Sequence, residues 1–247
     1  MRVPSRVKPA AVRKNFGAGK SRTDTIGARA RESARTTGRR YLDFISPYAY
    51  LAFERLPDTL EGISHAVRYQ PVLLGAMLKQ HGHRGPVAIA PKRVWTYRHV
   101  QWLGHAHGVP LQMPSLHPFN PLPLLRLALA CAEDDGCINR HVAGSLLRHV
   151  WKDGGDPNDA RRLQALQESL ILKRDPAGAE VKAMLRTHTD AAIERGVFGV
   201  PTFEAAGRLF WGFDALPMLR ACLGGDPWFA GSAWDEAESC ASVPLDF

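Results

Sequence analysis

Four cysteines in 247 residues, none of them spaced as Cys-x-x-Cys, give the chain no zinc-site signature and no redox pair. Cys131, Cys137, Cys222 and Cys240 are irregularly placed; they read as buried or incidental thiols and suit a reducing compartment. No apolar run approaches the ~20 residues needed to cross a bilayer, so a soluble, cytoplasmic protein without a membrane partner is expected. Acidic residues are almost missing from the first forty positions, where Asp24 and Glu32 face twelve Lys and Arg. The net charge of +8 therefore comes from one end, and the remainder holds slightly more acid than base. That end also lacks aromatics. Phe16 stands alone, so base stacking is nearly absent and no nucleic-acid partner is expected. The segment is too polar to bury a core. It reads as a solvated extension, as upstream sequence from a misplaced start, or as an organellar targeting peptide, and it has no apolar centre of a secretory signal. Residues 1–39 are set apart from the fold for that reason. Metal ligation is not expected either: His81/His83 and His105/His107 are i,i+2 pairs, which do not share a helix face.

What is present is a globular body. The hydrophobic fraction of 45% is ordinary, and a chain of this length buries enough surface to hold without covalent staples. Residues 40–45 predict a buried strand. Pro47 suits the first helical position, and the helix it opens is expected to run to about Arg55 and stop before Pro57. The stretch HAVRYQPVLL (65–74) predicts a second strand, with Pro71 ending it or placing it at an edge. From about 75 to 195 the period becomes helical. A helix over 92–107 carries Trp95, His99, Trp102, Leu103 and Ala106 on one face; a second has Leu122, Leu125, Leu129 and Ala132; a third has Val142, Leu146 and Val150. Asp156-Pro157 and Asp175-Pro176 each resemble an N-cap followed by Pro at the first turn, and Gly196 suits the end of the last long helix. GVPTFEAAGRLFWG (199–212) predicts a β-hairpin around Gly207, followed by a closing helix over 213–223. After Gly225 the composition turns irregular, and residues 225–247 are expected to drape over the surface.

Two stretches carry chemistry. In DFISPYAYLA (43–52) Ser46 stands between a strand end and a helix start. The positions a Cys-x-x-Cys would take hold Ser46 and Ala49. Free N–H groups and the helix dipole favour an anion there, so the Ser46 hydroxyl can donate to a thiolate brought by a ligand; it can equally serve as a plain N-cap. In GVFGVPTF (196–203) Pro201 opens a strand after a glycine-containing loop, as a turn proline or a cis-proline. Asn120 suits an N-cap, and Trp95 and Tyr97 read as helix packing.

YLDFISPYAYLA, QPVLLGAMLKQHG and ERGVFGVPTF…LFWGFDAL, in this order over about residues 40–224, resemble the 2-hydroxychromene-2-carboxylate isomerase family, related to kappa-class glutathione transferases and DsbA-like oxidoreductases. The resemblance implies an α/β, thioredoxin-like fold (βαβ…ββα), with residues 40–74 and 197–224 forming the thioredoxin-like domain and 75–196 a large inserted α-helical domain. It implies glutathione as cofactor, a small aromatic acid as substrate and a homodimer. At matching positions Ser46 faces the glutathione sulfur, Val200 before a cis Pro201 pairs with the cysteinyl backbone, and Asp214 holds the γ-glutamyl amino group. Lys92 lies near a carboxylate of the cofactor or substrate, and Asn120 borders the substrate pocket while also suiting a cap. Two positions depart from the family: His83 replaces an amide side chain, and Phe213 replaces a polar one.

The reading that follows is a glutathione-dependent cis–trans isomerase of an aromatic ring-cleavage product. A kappa-like transferase or peroxidase would use the same thiolate and release a conjugate. A thioredoxin-fold binding protein without turnover is the third reading, resting on the His83 and Phe213 departures. A disulfide oxidoreductase is excluded because no second sulfur accompanies position 46.

Overall fold

The computed structural model describes residues 36–241. Most of the basic extension and residues 242–247 lie outside them, and the last residues assigned to the extension, 36–39, belong to the first strand. Strand β1 (Thr36–Leu42) pairs in parallel with β2 (His65–Pro71), from Thr36 opposite His65 to Leu42 opposite Pro71. On its other side β1 runs antiparallel to β3 (Thr202–Ala205), which forms a hairpin with β4 (Arg208–Trp211). The four-stranded order is β2-β1-β3-β4. Pro71 ends β2, an edge strand, where a missing ladder donor does no harm. The hairpin turns at Ala206 and Gly207, both at positive φ (50° and 74°), as the twist of paired strands favours.

The first strand sits earlier than the 40–45 expected. Tyr41 and Leu42 are in the ladder, but Phe44 and Ile45 have left it for a turn in which the Ser46 amide donates to Asp43 O at 3.2 Å. Basic residues extend the strand upstream because the sheet gives them partners. Arg39 Nη1 donates to Gln70 (3.3 Å), and the Arg40 guanidinium lies over the Tyr69 and Phe203 rings (5.6 and 5.2 Å).

Helix α1 (Pro47–Thr59) continues through Pro57, past the expected stop. Proline removes the N–H that would pair with Phe53 O. Arg140 Nη2 donates to that carbonyl instead, at 3.2 Å, while Nη1 donates to Tyr69 Oη at 2.9 Å. A guanidinium from a distant helix thus replaces the missing backbone donor.

The helical stretch contains α2 (Leu74–Gln80), a short 3-10 turn (Pro86–Ala88), α3 (Ala90–Ala106), α4 (Leu122–Ala130), α5 (Arg140–Trp151), α6 (Ala160–Glu168) and α7 (Ala179–Glu194). In α3 the buried stripe is Thr96, Val100, Leu103 and Gly104, one step round from the expected face. Trp95 and Trp102 are 67% and 60% exposed. Gly104 fixes the choice, because a Cβ there would sit 3.2 Å from Val109 O and Leu111 Cβ. The two Asp-Pro sites are Asx turns before the helices rather than their caps. Asp156 and Asp175 accept from Asn158 N (2.9 Å) and Ala177 N (2.8 Å), and the helices start later, at Ala160 and Ala179.

One apolar cluster joins the strand end (Leu42, Phe44), α1 (Tyr50, Phe53) and the helical stretch (Leu124, Leu146, Trp151), so the expected boundaries at 74 and 197 are crossed by a shared core. Helix α8 (Leu216–Leu223) packs with α1 in a second cluster. Beyond it the chain is more regular than expected, with a 3-10 turn (Pro227–Ala230) and α9 (Ala233–Ala241). Phe229 and Trp234 hold it down against Phe210, at 6.1 and 5.6 Å.

Candidate active site

The site grows from the end of β1. Asp43 is fully buried and accepts from Leu74 N (2.9 Å) and Ile45 N (3.2 Å), which fixes the turn and ties it to the start of α2. Burial pushes its carboxyl up to about 7 against the pull of those donors. Three residues on, Ser46 has extended dihedrals (φ −91°, ψ 115°) and caps α1, its Oγ accepting from Ala49 N at 3.2 Å. The same oxygen donates to Val200 O at 3.3 Å. Pro47 has no amide proton, so among the described residues the Tyr48 N–H is the first-turn donor without a hydrogen-bond partner.

Val200 and Pro201 come from the far side of the sheet. Their peptide bond is cis, as the resemblance implied. Gly212 N donates to Pro201 O (2.9 Å) and thereby joins this loop to the end of β4. Gly212 itself is dictated: its φ is +100°, and a Cβ would lie 2.3 Å from Asp214 Oδ1. Asp214 is exposed, and its charge reaches Tyr48, whose hydroxyl pKa is raised by burial first and by Asp214 second. Phe213 packs edge-on against His107 at 5.1 Å, so an apolar ring at this position locks the hairpin end to the last turn of α3.

The structure thus brings Ser46 into direct contact with Val200, the residue before the cis Pro201, while Asp214 acts on the neighbouring Tyr48. Three other candidates stand apart, with no hydrogen bond or ring contact to Ser46 among the described residues. His83 is exposed on the loop after α2, where Nδ1 accepts from Gly85 N (2.8 Å). It lines an open groove of about 490 Å³ with Gly75, Leu78, Lys79, Gly82 and Arg84. Lys92 is exposed in the first turn of α3. Asn120 forms an Asx turn before α4 rather than its cap, which is Pro121: its Oδ1 accepts from Leu122 N at 3.1 Å, while its carbonyl accepts from Asn158 Nδ2 at 3.2 Å.

Sequence reasoning passed over the side chains that lock the helical stretch to the corner. Trp151 Nε1 donates to Phe44 O (2.8 Å), and His117 Nε2 donates to Ile45 O (2.9 Å). A carbonyl can only accept, so neutral His117 carries its proton on Nε2 and takes the Tyr97 hydroxyl at Nδ1, 2.8 Å away. Burial lowers the His117 pKa, in keeping with that form. Tyr48 Oη lies 3.0 Å from His99 Nδ1. Each contact joins residues far apart in sequence. The segment between Glu61 and Glu133 is cationic as well. No Asp or Glu occurs between Glu61 and Glu133, and exposed Lys79, Arg84, Lys92, Arg93 and Arg98 form no ion pair among the described residues. Cys131, Cys137 and Cys222 lie away from the corner, their thiols pushed up chiefly by burial.

A DSBA-like thioredoxin domain is the family description that matches, over residues 39–224. A 2-hydroxychromene-2-carboxylate isomerase of Pseudomonas sp. (strain C18) is 30% identical over 196 residues, covering 76% of this chain and 90% of that protein. The chain belongs to the 2-hydroxychromene-2-carboxylate isomerase family. A solved 2-hydroxychromene-2-carboxylate isomerase shares the fold with a TM-score of 0.66 at 26% identity, over 76% of this chain and 94% of that one. Kappa-class relatives are also recognisable: glutathione S-transferase kappa 1 of Caenorhabditis elegans is 33% identical over 203 residues, 74% of this chain and 88% of that protein. No helix among the described residues is long and apolar enough to cross a membrane.

Proposed function

We propose that the chain is a glutathione-dependent cis–trans isomerase of a conjugated aromatic acid, the reaction type for which its isomerase relatives are named. One observation carries this reading: Ser46 Oγ is held between a helix N–H and the carbonyl before a cis-proline, with Ala49 where a resolving cysteine would stand. Such a corner binds a sulfur anion and cannot itself form a disulfide. The hydroxyl rests on Val200 O, a neutral acceptor. A thiolate is a stronger one, so the hydroxyl turns to it and frees the Val200 carbonyl for an N–H of the cysteinyl backbone, a strand-like pairing. The helix N-terminus and the Tyr48 N–H lower the thiol pKa further. Asp214 pairs with the γ-glutamyl ammonium. The cationic segment between Glu61 and Glu133, Lys92 included, balances the carboxylates of cofactor and substrate. His83 keeps a polar contact at the groove, and Asn120 borders the substrate.

The thiolate adds to a conjugated carbon, the former double bond rotates, and expulsion of the thiolate restores conjugation. Glutathione is returned unchanged. A cytoplasm rich in glutathione is the compartment this chemistry requires. The test is incubation with o-hydroxybenzylidenepyruvate, with and without glutathione, followed by absorbance and mass spectrometry. Interconversion that needs glutathione and leaves it unconjugated is expected. A stable conjugate would replace this reading with the transferase chemistry of the kappa relatives, and no glutathione binding at millimolar concentration would remove both.

A further inference from the structure

Tyr48 stands in the first turn of α1, two residues after Ser46, with its hydroxyl 3.0 Å from His99 Nδ1. His99 is half-buried and clasped on its own helix. Its ring is nearly parallel to Trp95 (6.0 Å, 9°) on one side and to Trp102 (6.4 Å, 11°) on the other. One of these residues is four positions before it and the other three after, so the three rings share one face of α3. The two stacks hold the plane of the imidazole, and the contact with Tyr48 Oη keeps Nδ1 rather than the opposite ring edge turned towards it. The Tyr48 hydroxyl is itself held protonated by its burial and by Asp214. The cis-proline loop fills the other side of Ser46, where the peptide backbone of the thiol pairs. Tyr48 and, through His99, the exposed Trp95 and Trp102 rings of α3 are the aromatic groups next to the corner, and such rings suit a planar aromatic as the second reactant.

We propose that Tyr48 is a catalytic hydrogen-bond donor to the substrate oxygen that becomes negative when the thiolate adds, and that His99 is a positioning residue that turns the Tyr48 hydroxyl towards it. With the proton on Nδ1, His99 donates to Tyr48 Oη and leaves the tyrosine's own proton free for the substrate. The sulfur electron pair forms the C–S bond, and the π pair moves through the conjugated system onto the carbonyl oxygen. Tyr48 holds that oxyanion without giving up its proton. When the pair returns, the double bond re-forms and the C–S bond breaks, so atoms and electrons balance. The assignment rests on the isomerase reading, because only addition to a conjugated carbonyl creates the oxyanion.

The experiment is steady-state kinetics of Tyr48→Phe, His99→Asn and His99→Leu, with glutathione affinity and the thiolate absorbance of bound glutathione measured on the same samples. Tyr48→Phe removes one oxygen and is expected to lower kcat about tenfold to a hundredfold, with KM, glutathione affinity and thiolate pKa unchanged. His99→Asn keeps an N–H near the Nδ1 position and is expected to retain most of the rate. His99→Leu is expected to fall towards the Tyr48→Phe level, and combining it with Tyr48→Phe to add little. A Tyr48→Phe variant with wild-type kcat overturns the assignment. So does one whose thiolate pKa rises in step with its rate loss, since Tyr48 would then serve the sulfur. A wild-type protein that binds no glutathione overturns the isomerase reading and this assignment together, whereas wild-type turnover alongside an unaffected Tyr48→Phe overturns this assignment alone.

Discussion

Replacing Ser46 with alanine removes two contacts, and their consequences can be measured separately. As an N-cap, Ser46 Oγ accepts from Ala49 N at 3.2 Å, and losing such a cap costs about 1 kcal/mol. As a donor it satisfies the buried Val200 carbonyl at 3.3 Å, and an orphaned buried acceptor costs ~1–3 kcal/mol. Ser46→Ala should therefore destabilise the fold by roughly 2–4 kcal/mol, measured as a shifted urea midpoint with unchanged slope. The chemical loss is a charge-assisted hydrogen bond to sulfur, worth ~1.5–3 kcal/mol, which corresponds to a rise of about one to two units in the bound thiol pKa. The assay is a pH titration of thiolate absorbance with glutathione bound, beside a pH–rate profile for each protein. The expected outcome is an alkaline displacement of the rising limb, with the variant approaching the wild-type rate once the thiol is ionised. A thiolate pKa that matches in the two proteins would refute the reasoning and leave Ser46 as a helix cap.

The other predictions concern the scaffold and its charge. Arg140→Met should cost about 3 kcal/mol by orphaning Phe53 O and Tyr69 Oη and removing a guanidinium 4.1 Å from the Phe53 ring; a denaturation shift within about 0.5 kcal/mol would show that Pro57 needs no substitute donor. Asp43 has a folded pKa of about 7, above its unfolded value, so the folded state binds the extra proton. Its contribution to stability is complete at low pH and is lost as pH rises towards and through 7. Asp43→Asn should flatten that slope in chemical denaturation at a series of pH values, and an unchanged slope would assign it to other groups. Because the segment between Glu61 and Glu133 is free of acid, KM for anionic substrates should rise with ionic strength while kcat holds. Lys92→Glu should raise KM further, and a salt-independent KM would remove that segment from substrate capture.

The corner was legible because its signals are contiguous. Ser46 and Pro47 mark a helix start within two residues, Gly-Val-Pro-Thr-Phe marks the opposing loop, and Asp214 follows a glycine that no other residue could replace. Elsewhere, local rules lost to tertiary partners. Pro57 predicts a helix stop, and a guanidinium from α5 cancels it. The apolar run 41–45 predicts a strand, but the ladder runs upstream through arginines that the sheet can stack or pair. In α3 the large rings point to one face, whereas the close approach of Gly104 to Val109 and Leu111 buries its neighbour. Tyr48 lay inside the quoted motif without a visible role, since its partner His99 is on another helix. The C-terminal helix follows a Gly- and Pro-rich stretch, and contacts of Trp234 with Phe210, Phe229 and the Arg208 guanidinium give it a place.

The two carbonyls of the turn after the first strand, Phe44 O and Ile45 O, are both taken by donors from the inserted helical stretch, Trp151 in α5 and His117 in the loop between α3 and α4. The insertion is therefore not a removable module. A related chain could lengthen, shorten or resurface it freely only while it kept an indole and an imidazole at those two places, because without them the strand that presents Ser46 would end in open acceptors. Diversification of the pocket is steered towards the outer face of α3, whose exposed rings touch the corner only through His99.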